Sequence, residues 1–346
     1  MTQLCEMIEI SLLRLRAIVL LAGLMLQLSV AGALAACFGT DMLPELRATD
    51  PVGIEKMFAR ANDVPNAQGR LWRVERDGIP ASHLFGTFHS GEALETVTPD
   101  IWAKLEASRI AIFEVDLTQQ RKMEDRMASD PGFAFDLQGP GVLSRMSPSQ
   151  KQVFSSALAS RGIDAQAADR MKPWLLAALL SFPACHLQAM ASGNQALDGV
   201  LAKRAEALGI REIGLEGYEV ALASLDRVSK DILLTALTGV PEMLDRDEDL
   251  FRTNHVLYET GQIQAISELG IYLTNRYRPD LDARHLNRAM MVELLDVRNK
   301  AWIPRLQSEL SKGNAFVAVG ALHLPGEVGL IELLRDSGFQ ITRVNQ

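Results

Sequence analysis

Two stretches of the chain share one spacing of chemistry-bearing residues. Residues 83 to 91 read HLFGTFHSG and residues 317 to 326 read VAVGALHLPG, each an apolar run that reaches Gly-x-x-His. His89 thus stands three residues after Gly86, and His323 three after Gly320. Random placement of 25 glycines and 6 histidines among 346 residues gives about 0.4 such spacings, so two are a mild excess and their meaning rests on context. A third stretch, RIAIFEVDL over residues 109 to 117, alternates as a strand does. Ile110, Ile112, Glu114 and Asp116 point to one face, and Ala111, Phe113 and Val115 to the other. A carboxylate at the end of an apolar stripe must meet a cation, a metal or hydrogen-bond donors, or else leave the core where solvent reaches it.

Histidines at the ends of two strands and Glu114 at the end of a third can meet, because strand ends converge on one rim where ligands bind. Two imidazoles and one carboxylate supply three ligands and leave a position for water, the arrangement of a hydrolytic metal site. The ion expected is divalent, zinc or manganese. Glycine before each histidine permits a tight turn or a close approach of backbones. Taken singly, either histidine reads as structural.

The elements that must position these residues follow from turn and cap chemistry. GRLWRVERDGIPASHLFGTFH, from Gly69, reads as two strands joined at Asp77-Gly78. Thr98-Pro99 opens a helix, and Arg109 to Leu117 forms the next strand. Residues 118 to about 208 are mostly helical, with Ser147 to Gln150 matching a capping box and Gly209 a helix stop. IREIGLE is a short strand; helices fill 217 to 312, kinked near Pro304 and ending at Gly313. NAFVAVGALH, a helix from about Pro325 and the strand FQITRV close the chain. The fold class expected is mixed α/β: a central mixed sheet flanked by helices, with a large helical insertion at about 118–208.

Composition narrows the function classes. The chain is 48% hydrophobic and 23% charged, with a formal charge of −8, which suits a globular core and argues against nucleic acid as a partner, for lack of clustered Lys and Arg. Arg14 and Arg16 precede a charge-free apolar span, Ala17 to Ala36, that ends in small residues. This predicts a signal over residues 1–36 and one exported domain over 37–346; an uncleaved anchor is the competing reading, since ~20 apolar residues span a bilayer. Ala33-Leu34-Ala35 fits ordinary cleavage, whereas Leu34-Ala35-Ala36-Cys37 fits the pattern before a lipid-modified cysteine. Contact with a membrane is expected only through that signal or a lipid anchor on Cys37, in a periplasmic or lipoprotein setting. Beyond the signal only Cys37 and Cys185 remain, so a disulfide is the other fate of Cys37.

No H-E-x-x-H, G-x-S-x-G, C-x-x-C or G-x-G-x-x-G is present, so zincin, serine-hydrolase, redox and dinucleotide readings lack their signatures. His83 is expected at a strand start facing solvent, and His255 and His285 in polar helical surroundings at the surface.

LFGTFH, the strand with Glu114, RNKAW at 298 to 302 and VGALHLPGEVGL together resemble the TraB/GumN family, which includes the TIKI metalloproteases. The resemblance runs from about Gly69 to Arg343 and implies a site of His89, Glu114 and His323 with Arg298, and Asn299, beside it. It implies metal-dependent proteolysis, with a peptide or protein as substrate, as in the TIKI branch. Arg298 would stabilise the developing oxyanion; read from the sequence alone, it is a surface partner of Glu293 or Asp296. The chain departs from the family where relatives read G-L-E-T followed by a glutamine. Gly214-Leu215-Glu216-Gly217 and Ala221 keep the acid and lose its polar neighbours, which puts Glu216 in doubt as a general base. The rival reading is a non-catalytic periplasmic protein whose histidines grip a ligand or haem.

Overall fold

The structure, a computed structural model, describes Cys37 and residues 39–228, 232, 235 and 239–345. The signal expected at residues 1–36 lies outside the described residues. Strand β1 (Leu71–Arg76) and β2 (Ile79–Thr87) form the expected hairpin, with Gly78 at φ +75° in the turn. They are joined in one sheet by β3 (Ile110–Phe113), β4 (Arg211–Gly214), β5 (Ala315–Gly320) and β6 (Gln340–Arg343), in the order β4-β3-β5-β2-β1-β6. The pairs β4/β3, β3/β5 and β5/β2 are parallel, and β1 runs antiparallel to both β2 and β6. The sheet is mixed and flanked by helices, as the sequence predicts.

The handedness of crossovers decides which helices cover which face. The steps β2 to β3 and β3 to β4 advance in one direction across the sheet, and β4 to β5 returns. Right-handed connections put the helices of the first two steps on one face and the helix that enters β5 on the other, while Tyr258 and Ile263, from earlier in that last connection, pack back on the first face. Ala111, Phe113, Phe316 and Ala318 accordingly pack with Ile101, Leu105, Leu197 and Leu201 from helices Pro99–Glu106 and Leu197–Ala207. Ile110, Ile112, Val317 and Val319 pack on the opposite face with Trp302, Leu306 and Leu310 from helix Val297–Leu310, and with Leu330 and Ile331. The alternation read in RIAIF holds. Beyond Phe113 the ladder stops short of the expected Leu117: Asp116 caps helix Leu117–Ser129 through Gln119 N–H, and its other oxygen accepts Gly214 N–H.

The insertion is helical throughout its described elements, with the capping box at Ser147 and Gln150 formed and a small core around Phe154, Leu158 and Leu176. Cys37 and Cys185 are joined in a disulfide, Cα–Cα 5.4 Å, across 148 positions of sequence. A sulfur so bonded carries no thioether, so of its two fates Cys37 takes this one.

Pro304 sits inside helix Val297–Leu310, which follows a π turn at Val292–Asp296. Three expectations are corrected. The last helix begins at Leu330, not Pro325, because residues 324–329 form a loop in which Gly326 takes φ +97°. His83 lies within β2 opposite Arg73, half-buried, and burial, aided by Lys104 and Arg73, lowers its pKa to about 4. His255 is buried against Phe88, since Phe251, His255 and Tyr258 recur at helical spacing on the inward face of helix Asp247–Glu259. His285 is exposed, as expected.

Candidate functional site

The four parallel strands end on one rim, and the residues just past their ends are, in sheet order, Glu216, Glu114, His323 and His89. Neither glycine of the two Gly-x-x-His runs needs a left-handed backbone; both give room. A Cβ on Gly86 would stand 2.8 Å from Leu324 Cδ1 and 2.9 Å from Ala321 Cα, so glycine lets the β2 end close onto the turn carrying His323. A Cβ on Gly320 would stand 3.2 Å from Glu114 Oε1, 3.3 Å from His89 Nε2 and 3.6 Å from His323 Cδ2. Three side chains from three strand ends thus face one point. No two of these atoms can be as much as about 8 Å apart, the span beyond which two imidazoles do not share an ion.

His323 is buried on the turn after β5, and its tautomer follows from Asn299. The Asn299 amide donates to the carbonyls of His323 (3.2 Å) and Val328 (2.9 Å), which turns Oδ1 toward His323 Nδ1 at 2.6 Å. Nδ1 therefore carries the hydrogen, and the lone pair of Nε2 faces Glu114 Oε1 at 3.6 Å and Arg298 Nη1 at 3.3 Å. Burial, reinforced by the Arg298 charge and opposed by Glu114, lowers its pKa to about 3. The ring also packs on Trp302, centroids 4.5 Å apart.

Arg298 lies inside the site rather than on the helix surface. Glu293 pairs with Arg227 and Asp296 with Arg288, so neither proposed surface partner takes it. Its Nε donates to Glu216 Oε1 (2.8 Å), Nη1 to Leu294 O (3.0 Å) and to His323 Nε2, and Nη2 to Glu114 Oε2 (2.6 Å), with Glu216 Oε1 also 2.6 Å away. All five N–H groups face acceptors. The π turn just before Val297 exposes Leu294 O to this guanidinium, and irregular turns of this kind gather at functional sites. Glu216 is fixed at its second oxygen by Trp302 Nε1 (2.9 Å). Glu114 accepts Gly320 N–H at 2.6 Å. Burial pushes its carboxyl up, but the surrounding positive groups, led at neutral pH by Arg298, together with that N–H outweigh burial and hold it at about 2.

His89 completes the rim from β2. Its Nδ1 meets Asp198 Oδ2 at 2.8 Å, and Thr87 O–H donates to the other Asp198 oxygen, so carboxylate, hydroxyl and imidazole form one chain. The Asp198 carboxylate raises the His89 pKa to about 9, against burial, although 57% of the side chain reaches solvent. Nε2 is the atom turned to Gly320, where Glu114 Oε1 also arrives. Asp198 went unnoticed in the sequence, because one acid in the first turn of helix Leu197–Ala207 reads as ordinary dipole chemistry.

Both imidazoles have Nδ1 tied to an orienting acceptor, the outer-sphere pattern of metal-ligating histidines, and both rings come close to Gly320 beside Glu114. The donor types therefore fit a divalent ion. Among the described residues, however, no group of three His, Cys, Asp or Glu stands at metal-binding spacing; the Arg298 guanidinium occupies the gap between Glu114 and His323.

Fold and site together define a mixed α/β protein whose parallel strands deliver two imidazoles and two carboxylates to one rim, where helix Val297–Leu310 adds a guanidinium. Residues 70–343 match the TraB/PrgY/gumN family, and the chain belongs to it. No curated protein and no solved structure matches.

Proposed function

We propose that the protein is an exported, metal-dependent hydrolase acting on a peptide bond, with His89, Glu114 and His323 holding a divalent ion, zinc or manganese. The observation that carries this reading is the convergence of both imidazoles and Glu114 on Gly320, with each ring fixed from behind by Asp198 or Asn299. When bound, the ion supplies Lewis acidity and water of lowered pKa. Asp198 and Asn299 orient the two rings, and Glu114 offsets the ion's charge. Glu216 is held at both oxygens by Arg298 and Trp302, so it serves as an anchor for Arg298 and not as a mobile base. Arg298 has no spare N–H while His323 Nε2 accepts from it. Engaging that lone pair elsewhere frees one Nη1 N–H for a carbonyl oxygen that is gaining charge.

The test is elemental analysis of untagged protein together with hydrolysis of a peptide library. Wild type should carry close to one divalent ion per chain. His89→Ala and His323→Ala should each lose it, with the double variant little worse, because ligands of one ion act as a unit. Glu114→Gln should weaken retention strongly with the fold intact. Normal metal content in both histidine variants defeats the reading, and a visible absorption band in the purified protein would favour the haem-binding rival.

A further inference from the structure

A cavity of about 500 Å³ opens from the rim, with His89 and Glu114 at one end. Its walls come from the turn after β3, helix Leu117–Ser129, helix Ala184–Ala191 and helix Tyr218–Arg227, through Val115, Met123, Met190, Tyr218, Ala221 and Leu222. The volume is that of a ligand site. We infer that this cavity receives an apolar side chain of the peptide substrate, beside the bond positioned over His89 and Glu114; the assignment rests on the hydrolase reading above.

Three observations select that guest. The acids reaching the cavity near the rim are already partnered, Glu114 by Arg298 and Asp198 by His89, while Lys203 and Glu124 are exposed and of opposite charge. A charged side chain entering would lose water, and the exposed Lys203 and Glu124 would offer it only a solvent-screened partner beside an equally screened charge of its own sign. Met123 is half-buried and Met190 is 44% exposed, and flexible thioether chains adapt their shape to an apolar guest. Ala221 is small where it lines the cavity, so the space beside Leu222 stays open.

The experiment titrates wild-type protein, isotope-labelled at its methionine methyl groups, with acetyl-Ala-Xaa-Ala-amide peptides, Xaa being norleucine or glutamate. Met123 and Met190 signals, assigned with Met→Leu variants, report occupancy whether or not anything is cut. The norleucine peptide should move both signals, and the glutamate peptide should bind at least about tenfold more weakly. Ala221→Trp should abolish the shifts while metal content stays at the wild-type level. Equal binding of the two peptides, or no movement of these methyls at millimolar norleucine peptide, overturns the inference; should Ala221→Trp not fold, the wild-type series decides alone. Metal content measured on the same samples separates the two ideas. Loss of the methyl shifts with metal present defeats only the pocket, and shifts without metal defeat only the hydrolase.

Discussion

Replacing Arg298 by methionine removes one cation from two buried carboxylates while keeping most of the side-chain volume. Arg298 is 11% exposed, Glu114 14% and Glu216 5%, so water cannot replace the lost charge. Breaking one partner out of a buried pair costs ~3–5 kcal/mol. Here a single guanidinium serves two acids, and one of them can escape by taking up a proton, which keeps the expected loss within that range. In a chain of this size, roughly 2 °C per kcal/mol translates this into a fall in Tm of about 6–10 °C. The pH dependence is the sharper signature. In wild type the depressed Glu114 pKa contributes stability that is present above its unfolded value, ~4.3, and is lost as pH falls toward about 2. In the variant the same carboxyl is buried without its cation, its pKa rises, and acid stabilises the fold instead. Urea midpoints read by tryptophan fluorescence should therefore show a gap between the two proteins that narrows from pH 7 to pH 4. Adding Glu216→Gln should recover ~1–2 kcal/mol of the loss. A loss below about 1 kcal/mol at pH 7, or a gap that ignores pH, refutes the account of Arg298 as the charge that holds the rim together.

The remaining expectations concern the two histidines, the glycines and the cysteines. In metal-free protein the His89 ring should titrate well above 7 by NMR, and Asp198→Asn should lower that pKa by at least about one unit; an unchanged titration removes Asp198 as the orienting partner. Its raised pKa stabilises the fold fully below ~6.5 and loses that contribution as pH rises through about 9. Because an ion must displace that proton, apparent metal affinity should rise up to ~tenfold per unit between pH 7 and 9, and a flat profile would place the ion elsewhere. Gly320→Ala should leave Tm nearly unchanged, since φ −52° suits any residue, but cut metal retention at least ~tenfold by crowding His89 Nε2 and Glu114. Gly86→Ala should instead cost ~1–3 kcal/mol in denaturant midpoint by meeting Ala321 and Leu324. Denatured, unreduced protein comprising residues 37–346 should show no free thiol, and reduction should lower stability by ~2–4 kcal/mol; two titrating thiols would contradict the Cys37–Cys185 bond.

What the sequence by itself determined is local chemistry. Asp77-Gly78 specifies a hairpin, Thr98-Pro99 and Ser147 to Gln150 specify helix starts, and alternation in RIAIF specifies which residues share a face; each depends on neighbours a few positions away. The Gly-x-x-His pairs and Glu114 were legible for the same reason, since glycine and a strand-end acid stand out against apolar runs. Partners supplied from far along the chain were decided only by the tertiary structure. Asp198 reaches His89 across 109 positions, and Arg298 reaches Glu114 across 184 and Glu216 across 82. Each of these looks like a solvated helix residue until β5 is inserted between β2 and β3 and the crossover helices fall on opposite faces. His255 was misread as a surface residue for a related reason, because its helix neighbours Arg252 and Glu259 are polar and meet its Nδ1 while its ring is buried against Phe88 from far along the chain. The Asn299 amide likewise sets the His323 tautomer only because a loop carbonyl 29 positions away, that of Val328, claims its N–H. Pattern fixes the face on which a side chain emerges; the charge or hydrogen-bond donor it meets there depends on which strands are neighbours, and that is a non-local choice of the whole chain.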